Sequence, residues 1–236
     1  MVFFHRTNLY KMKKITILFF SLSFLKLSAQ DLNLIDVDHS TVKITSIGLN
    51  SNAMATGHGI VYAHQDTVSF IAVPMHLLKV DDVVDKIKIS FGDKSMKSVY
   101  RKVVGYVGSE DWDLLVLVVE RIDCADISSM DLVFDFKEWS KAAVISPFNV
   151  RGVKRKTGMV YMGEVMHPGK YKIEPGDSGS PVVDEHKKLI GLVSANSPDG
   201  RTVAIIPVRF IETAYVSLFN RVTFSDISDL PLMISP

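Results

Sequence analysis

Cysteine is nearly absent from this chain of 236 residues, which holds a single one, Cys124. One thiol cannot form an intramolecular disulfide, so a small scaffold held together by several disulfides is excluded. The hydrophobic core must therefore stabilise the fold alone. Hydrophobic side chains make up 47% of the residues, which is enough to build such a core.

A long hydrophobic run is also missing near the N-terminus. The apolar stretch Ile15–Leu25 ends at Lys26 and falls short of the ~20 residues that cross a bilayer. It follows the basic stretch Lys11–Lys14 and precedes the small residues of Ser28–Gln30, a pattern typical of a secretory signal peptide. We therefore predict that residues 1–30 are a signal peptide, that the mature chain is secreted or periplasmic, and that it has no stable membrane anchor.

The chain has little excess charge, with a formal net charge of +1. Residues 1–30 contain five basic and no acidic residues, so the remaining chain carries −4. A mildly acidic domain is not expected to bind nucleic acid. The basic cluster formed by Arg151 and Lys154–Lys156 is interpreted as a solvated loop. The sequence predicts no cofactor and no metal, and it does not indicate an oligomeric state.

The most informative motif is Gly176–Pro181, which reads Gly-Asp-Ser-Gly-Ser-Pro and precedes the apolar pair Val182–Val183. A nucleophilic serine needs an exposed position with backbone N–H groups beside it to bind the oxyanion that its attack creates. Glycine on both sides permits the necessary backbone conformation. The alternative is an ordinary turn between two strands, since Gly, Asp, Ser and Pro are all common in turns.

This motif resembles that of the chymotrypsin-like (trypsin-fold) serine peptidases, Gly-Asp-Ser-Gly-Gly/Ser-Pro. The resemblance implies catalytic His, Asp and Ser residues in that chain order. It also implies that Ser178 is the nucleophile and that the backbone N–H groups of Gly176 and Ser178 form the oxyanion hole. In zymogen-activated relatives the residue matching Asp177 pairs with a newly cut N-terminus. No activation sequence stands out here, so the sequence does not identify a partner for Asp177.

His76 is the predicted catalytic base among seven histidines. It follows the apolar run Val68–Val73, at the position that the resemblance implies, although Pro74–Met75 departs from the usual Thr-Ala-Ala or Thr-Asn-Xaa wording. His58 lies between two glycines of a strand that matches the Gly-Xaa-Gly-Xaa-Val pattern of bacterial members. His64 lies in the turn that follows, so both are poorer candidates.

Asp113 is the predicted partner of His76. It stands at the head of the apolar run Leu114–Val119, where a carboxylate is partly buried and needs a hydrogen-bond partner. The Nδ1–H of the catalytic histidine is that partner in a Ser-His-Asp triad. Asp111 is the near alternative, two residues earlier and on the same face if the segment is extended.

Short apolar segments separated by turn signals predict an all-β chain. The resemblance implies two six-stranded Greek-key β-barrels with the active site between them and a C-terminal α-helix, for which Val208, Ile211, Tyr215, Leu218 and Val222 fall at helical spacing. The predicted domains are a signal peptide (1–30), an N-terminal barrel (31–136), a C-terminal barrel (137–206) and a C-terminal helix and tail (207–236). The predicted strands are Val42–Ile47, Gly59–Ala63, Val68–Val73, Lys86–Ser90, Tyr100–Tyr106, Leu114–Val119, Ala142–Ser146, Gly158–Gly163, Tyr171–Ile173, Ser180–Val183, Leu189–Ser194 and Thr202–Pro207.

The substrate-binding residues implied by the resemblance are Lys172, Ile173, Ser194, Ala195, Asn196 and Ala204. No Asp stands where a trypsin-like pocket would carry one, so cleavage after Arg or Lys is not expected. Asn196 replaces the usual glycine, and Val203 with Ala204 would narrow the pocket, which favours small or medium apolar side chains. An extended peptide would pair with the backbone of Ser194–Asn196.

The sequence thus predicts a serine endopeptidase that hydrolyses polypeptides through an acyl-enzyme intermediate. Bacterial members of the family often have no disulfides. The absence of cysteine pairs, together with the signal-peptide pattern, therefore favours a bacterial enzyme. Two alternatives remain open: a catalytically inactive binding module that keeps the trypsin fold, and a serine esterase that uses the same three residues.

Overall fold

The computed structural model describes residues 39–47, 54–78, 86–91, 98–127, 132–135, 137, 139–146, 154–161, 164–166, 174, 176–197 and 200–222. The predicted signal peptide and two of the predicted substrate-binding residues, Lys172 and Ile173, lie outside this part of the chain. Within it, no helix combines the length and the apolar character that crossing a membrane requires.

The first half of the chain forms a closed barrel of six antiparallel strands. Around the barrel the order is β1-β2-β3-β6-β5-β4, so β3 pairs with β6 rather than with the strand that follows it. A short 3₁₀ turn, Met75–Leu77, follows β3. The strands are β1 Thr41–Ile47, β2 Met54–Gln65, β3 Val68–Pro74, β4 Lys86–Phe91, β5 Val99–Ser109 and β6 Leu114–Glu120.

The second half forms another closed six-stranded barrel. Its order is β7-β8-β9-β12-β11-β10, which repeats the topology of the first barrel strand for strand. The predicted all-β fold with two six-stranded barrels is therefore confirmed. The strands are β7 Lys141–Ser146, β8 Lys154–Tyr161, β9 Glu164–Met166, β10 Pro181–Asp184, β11 Leu189–Asn196 and β12 Thr202–Pro207.

Strands β3 and β6 are apolar apart from Ser69 and Glu120 because both of their faces are buried. Alternate side chains of a strand point to opposite faces. In β3, Ile71 and Val73 fill the interior of the first barrel, whereas Phe70 and Ala72 belong to a second cluster that includes residues of the second barrel and of the C-terminal helix. Burial on two faces removes the polar alternation of a half-exposed strand, and it places the end of β3 beside the second barrel.

The C-terminal helix, α1 (Val208–Val222), contacts both barrels. Val208, Ile211 and Leu218 are buried on its apolar face, in agreement with the predicted helical spacing. Tyr215 packs edge-on against Phe70 of β3, with ring centroids 5.0 Å apart. The helix therefore fastens the two barrels to each other.

Most predicted strands are found with bounds that differ by a few residues. The exception concerns Tyr171–Ile173, which lies outside the described residues, while Glu164–Met166 forms the strand β9 that was not predicted. Val165 is the buried residue of this strand and packs in the core of the second barrel. A three-residue strand offers too little alternation to be recognised from its sequence.

Candidate active site

His76 lies where β3 ends and the 3₁₀ turn begins. Pro74 has φ −62° and ψ 134°, an extended conformation that proline adopts without strain, so the unusual Pro74–Met75 pair fits this position. The backbone N–H of Met75 donates to the carbonyl of Asp113 at 2.7 Å, which ties the turn to the start of β6. The His76 side chain is 43% exposed and reaches into the crevice between the barrels.

Asp113 holds His76 by two hydrogen bonds. Its Oδ2 lies 2.7 Å from His76 Nδ1, and its Oδ1 accepts a bond from the His76 backbone N–H at 2.9 Å. Ser194 of β11 adds a third bond, since its hydroxyl donates to Oδ2 at 2.6 Å. Burial alone would raise the pKa of Asp113, but the hydrogen bonds from His76 and Ser194 outweigh burial and lower it.

The backbone of Asp113 has φ +50°, a left-handed conformation in the turn that precedes β6. Aspartate tolerates this conformation better than most residues do. The expectation that Asp111 shares its face in an extended segment is wrong, because residues 110–113 form a turn. Asp111 is exposed there, and the carboxylate that contacts His76 is that of Asp113.

Ser178 completes the group from the second barrel. Its Oγ lies 3.1 Å from His76 Nε2 and 3.4 Å from the carbonyl oxygen of Ser194. The two residues are 102 positions apart, and they meet because β3 and the segment before β10 border the same crevice. Ser178, His76 and Asp113 thus form one continuous chain of side-chain hydrogen bonds.

Residues 174 and 176–180, here called the Ser178 loop, are ordered by backbone hydrogen bonds. The N–H of Asp177 donates to the Glu174 carbonyl at 3.0 Å, and the N–H of Gly179 donates to the Val193 carbonyl at 2.7 Å. The buried carboxylate of Asp177 accepts a bond from the Glu174 N–H at 2.9 Å. This contact supplies the partner for Asp177 that the sequence does not identify.

Gly176 and Ser178 are the predicted oxyanion donors. Within the described part of the chain, no carbonyl accepts a hydrogen bond from either N–H, whereas the N–H groups of Asp177, Gly179 and Ser180 all have carbonyl acceptors. Gly176 has φ +97°, and a Cβ at this position would meet no atom of the described residues within 4 Å. No described side chain therefore fills the space beside it.

Gly179 packs closely against the backbone of β2. It has φ +81°, and a Cβ added there would lie 1.8 Å from the carbonyl oxygen of His58. We expect Gly179→Ala to lower the free energy of unfolding by more than about 4 kcal/mol, because a main-chain collision cannot relax as a flexible side chain does. Chemical denaturation of the purified variant measures this loss.

Gly176→Ala is the matched comparison, because it imposes a similar positive φ without a collision. Strain at φ alone costs about 1–2 kcal/mol. Equal losses for the two variants would contradict the close packing of Gly179 against β2.

The predicted substrate edge lies at the end of β11. Ala195 and Asn196 are exposed there, after Ser194, whose hydroxyl contacts Asp113. The pairing of β11 with β12 shifts register between Val193 and Asn196 and resumes at Asn196, which pairs with Val203.

On the neighbouring strand β12, Ala204 is half-buried opposite Glu164. Val203 is buried in the core of the second barrel. The expectation that Val203 narrows a substrate pocket is therefore wrong, whereas the roles assigned to Ser194, Ala195, Asn196 and Ala204 stay predictions.

A second histidine–serine contact lies beneath the Ser178 loop. Nδ1 of His58 is 3.3 Å from Ser180 Oγ, but His58 is only 5% exposed and Ser180 is fully buried. A substrate carbonyl cannot reach a buried hydroxyl, so this pair is not a candidate for nucleophile and base. The sequence offers one signal for this contact, which is a histidine between the two glycines of β2.

Burial lowers the pKa of His58 to about 4, although the nearby Asp177 carboxylate and the carbonyls of Gly176 and Ser178 act in the opposite direction. The unfolded chain, with an ordinary histidine pKa near 6.5, binds this proton more readily than the folded chain does. Stability is therefore lost as the pH falls from 6.5 towards 4, by up to about 3 kcal/mol.

Urea unfolding at a series of pH values measures this effect. The slope of the unfolding free energy against pH in this window should be shallower in His58→Asn than in the wild type, because the substitution removes the group that titrates. An unchanged slope would mean that His58 is protonated as easily in the folded chain as in the unfolded one.

The family model described as Trypsin matches residues 140–216, which include Ser178 and most of the second barrel. No curated protein matches the chain.

Among 457 matching chains of solved structures is a serine endoprotease from Yersinia pestis. The likeness has a TM-score of 0.60 at 14% sequence identity and covers 81% of this chain and 66% of that one. At this identity the likeness concerns the fold, and the present chain spans about two thirds of the length of the solved chain. The family model described as Trypsin thus covers the part of the chain that carries Ser178, and the likeness to the solved structure shows that the two barrels have the fold of that serine endoprotease.

Proposed function

We propose that the chain is a serine endopeptidase in which Ser178 is the nucleophile, His76 the general base and Asp113 the residue that orients the base. One observation carries this proposal: a single hydrogen-bonded series joins Asp113 Oδ2, His76 Nδ1, His76 Nε2 and Ser178 Oγ at distances of 2.7 and 3.1 Å. A base within hydrogen-bond reach of a hydroxyl, and itself oriented by a third group, is the arrangement that activates a serine.

The reaction begins with attack of Ser178 Oγ on the carbonyl carbon of the scissile peptide bond. His76 Nε2 takes the hydroxyl proton, and Asp113 stabilises the imidazolium that results. The carbonyl oxygen becomes an oxyanion, for which the N–H groups of Gly176 and Ser178 are the proposed donors. Collapse of this intermediate breaks the C–N bond, His76 gives its proton to the leaving amine, and an ester to Ser178 remains.

Hydrolysis of the ester repeats these steps with water. His76 takes a proton from the water molecule, the hydroxide attacks the ester carbonyl, and the proton passes to Ser178 Oγ as the acid product leaves. Each turnover consumes one water molecule and regenerates the three side chains. No proton stays on Asp113, whose lowered pKa favours the carboxylate throughout.

The proposed substrate is an extended polypeptide that adds a strand to the exposed end of β11. Two observations support this proposal: Ala195 and Asn196 are exposed, and the pairing of β11 with β10 ends at Leu192, before these residues. A small or medium apolar residue is proposed before the cleaved bond, because Asn196 replaces a glycine and Ala204 lies on the neighbouring strand. The proposed location is secreted or periplasmic, which rests on the signal-peptide pattern of residues 1–30.

A fluorophosphonate probe tests the proposal directly. The mature chain is treated with the probe, and the modified peptide is located by mass spectrometry. Modification of Ser178 together with cleavage of a fluorescent casein supports an endopeptidase. A folded wild type that is neither labelled nor active supports the non-catalytic binding module instead. Labelling with turnover of short acyl esters, but with no cleavage of peptides, supports the esterase.

A further inference from the structure

The Ser178 loop rests on His58, a buried residue of β2 that takes no part in the proposed reaction. The backbone N–H of His58 donates to the carbonyl of Ser178 at 2.7 Å. The carbonyl of His58 lies so close to Gly179 that only glycine fits there. Main chain therefore packs on main chain, and the His58 side chain extends beneath the loop.

The imidazole of His58 faces polar groups of the same loop. Its Nδ1 lies 3.3 Å from the hydroxyl of Ser180. The carbonyls of Gly176 and Ser178 and the carboxylate of Asp177 are close enough to favour its protonated form. The ring thus occupies the inner side of the loop, whereas the Ser178 hydroxyl points outward to His76.

The peptide group between Gly176 and Asp177 separates the two proposed oxyanion donors. Its N–H donates to the Glu174 carbonyl at 3.0 Å. This peptide links the two peptides that carry the donor N–H groups, so rotation about its flanking bonds changes the angle between the two donors. Gly176, with no side chain and φ +97°, does little to resist such a rotation.

We propose that the His58 imidazole is a positioning residue that holds the Ser178 loop, through the hydroxyl of Ser180, in the conformation that directs both oxyanion donors to one point. This inference rests on the proposed function, since it assigns the donors a catalytic role. A neutral ring suits the task, because burial disfavours its charged form and a neutral imidazole still offers one donor and one acceptor.

His58→Leu removes the polar ring atoms while the backbone hydrogen bond to Ser178 remains available. His58→Asn is the conservative partner, because its amide can contact Ser180 from nearly the same place as Nδ1. His64→Leu is the matched control: His64 lies on the same strand, and its ring bonds to Ser69 and to the Cys124 carbonyl instead of the Ser178 loop.

The probes are a tetrapeptide anilide ending in alanine, and the aldehyde and the alcohol of the same peptide. We expect His58→Leu to lower kcat by about 10- to 100-fold, since misdirected donors stabilise the oxyanion less well. The aldehyde, which binds as a tetrahedral adduct, should lose affinity by a similar factor, while the alcohol should bind as before. His58→Asn should recover most of the loss, and His64→Leu should keep the kcat of the wild type.

A merely structural role of His58 predicts a different pattern, with lower stability but unchanged kcat and unchanged preference for the aldehyde over the alcohol. That pattern, or a kcat of His58→Leu within twofold of the wild type, overturns the inference. If His58→Leu does not fold, Ser180→Ala serves in its place, with an expected kcat loss of about 3- to 10-fold and no change for the alcohol.

Amide hydrogen exchange separates failure of this inference from failure of the proposed function. The N–H of Gly179 donates to the Val193 carbonyl, and the N–H of Ser180 donates to the Asp177 carbonyl. Exchange of both N–H groups should be faster in His58→Leu or Ser180→Ala than in the wild type, whether or not the protein cleaves peptides. Unchanged exchange overturns the positioning role. Faster exchange in a protein whose wild type shows no turnover overturns only the proposed function.

Discussion

Replacement of Ser178 by alanine is expected to lower kcat for peptide hydrolysis by about 10⁶-fold and to leave the free energy of unfolding within about 0.5 kcal/mol of the wild type. The loss is large because His76 and Asp113 have no hydroxyl to activate once the Ser178 side chain is removed. The effect on stability is small because, among the described residues, Ser178 Oγ has two hydrogen-bond partners, the ring of His76 and the Ser194 carbonyl, both at the edge of the crevice.

Single-turnover and steady-state assays with a peptide anilide measure this loss, and urea unfolding measures stability. Ser98→Ala is the control, since Ser98 is exposed just before β5, at the opposite end of that strand from the turn that carries Asp113. A Ser178→Ala protein with more than a hundredth of wild-type activity would show that another residue forms the covalent intermediate.

Asp113→Asn is expected to lower kcat by about 10⁴-fold while the chain still folds. The carboxylate accepts bonds from the His76 ring, the His76 backbone and Ser194. An amide has one acceptor oxygen, so an NH₂ group that faces His76 Nδ1 would stabilise the tautomer with its proton on Nε2. A ring in that state cannot take the proton of Ser178.

The pH dependence gives a second measurement for Asp113. Because its folded pKa is lowered, its stabilising contribution is present at neutral pH and is lost as the pH falls below the ordinary range of an aspartate. Asp113→Asn should lack this acid-dependent part of the unfolding free energy.

Asp111→Asn is the control for this substitution. Asp111 is exposed in the turn that precedes Asp113, so we expect a kcat within about twofold of the wild type. Near-normal rates in Asp113→Asn combined with a large loss in Asp111→Asn would transfer the orienting role to Asp111.

The two barrels and the roles of His76, Asp113 and Ser178 are predicted through the family resemblance, and each of the three residues is identified because it lies beside a strongly patterned segment. Leu114–Val119 is apolar throughout, Val68–Val73 is apolar except for Ser69, and the glycine-bracketed motif precedes a buried strand. These are local signals, and local signals are what a single sequence contains.

The contacts that complete the site are not local. The sequence predicts Ser194 as a substrate-binding residue, but its hydrogen bond to Asp113 joins residues 81 positions apart on different barrels. The contact of His58 with Ser180 spans 122 positions. Such pairs depend on how β2 and β11 are arranged in space, and no periodicity along the chain encodes that arrangement. The left-handed backbone of Asp113 is likewise set by its hydrogen bonds with the 3₁₀ turn.

The crevice is assembled from two halves, with imidazole and carboxylate on one and hydroxyl on the other. The contacts among the two barrels and α1 are here called the seam. Residues of the seam that lie far from the reacting groups, such as Tyr62, whose hydroxyl donates to Glu212 of α1, therefore influence turnover only by aligning the two halves of the crevice. Evolution or engineering could tune the speed of such a molecule by loosening or tightening this seam, without altering any atom that meets the substrate.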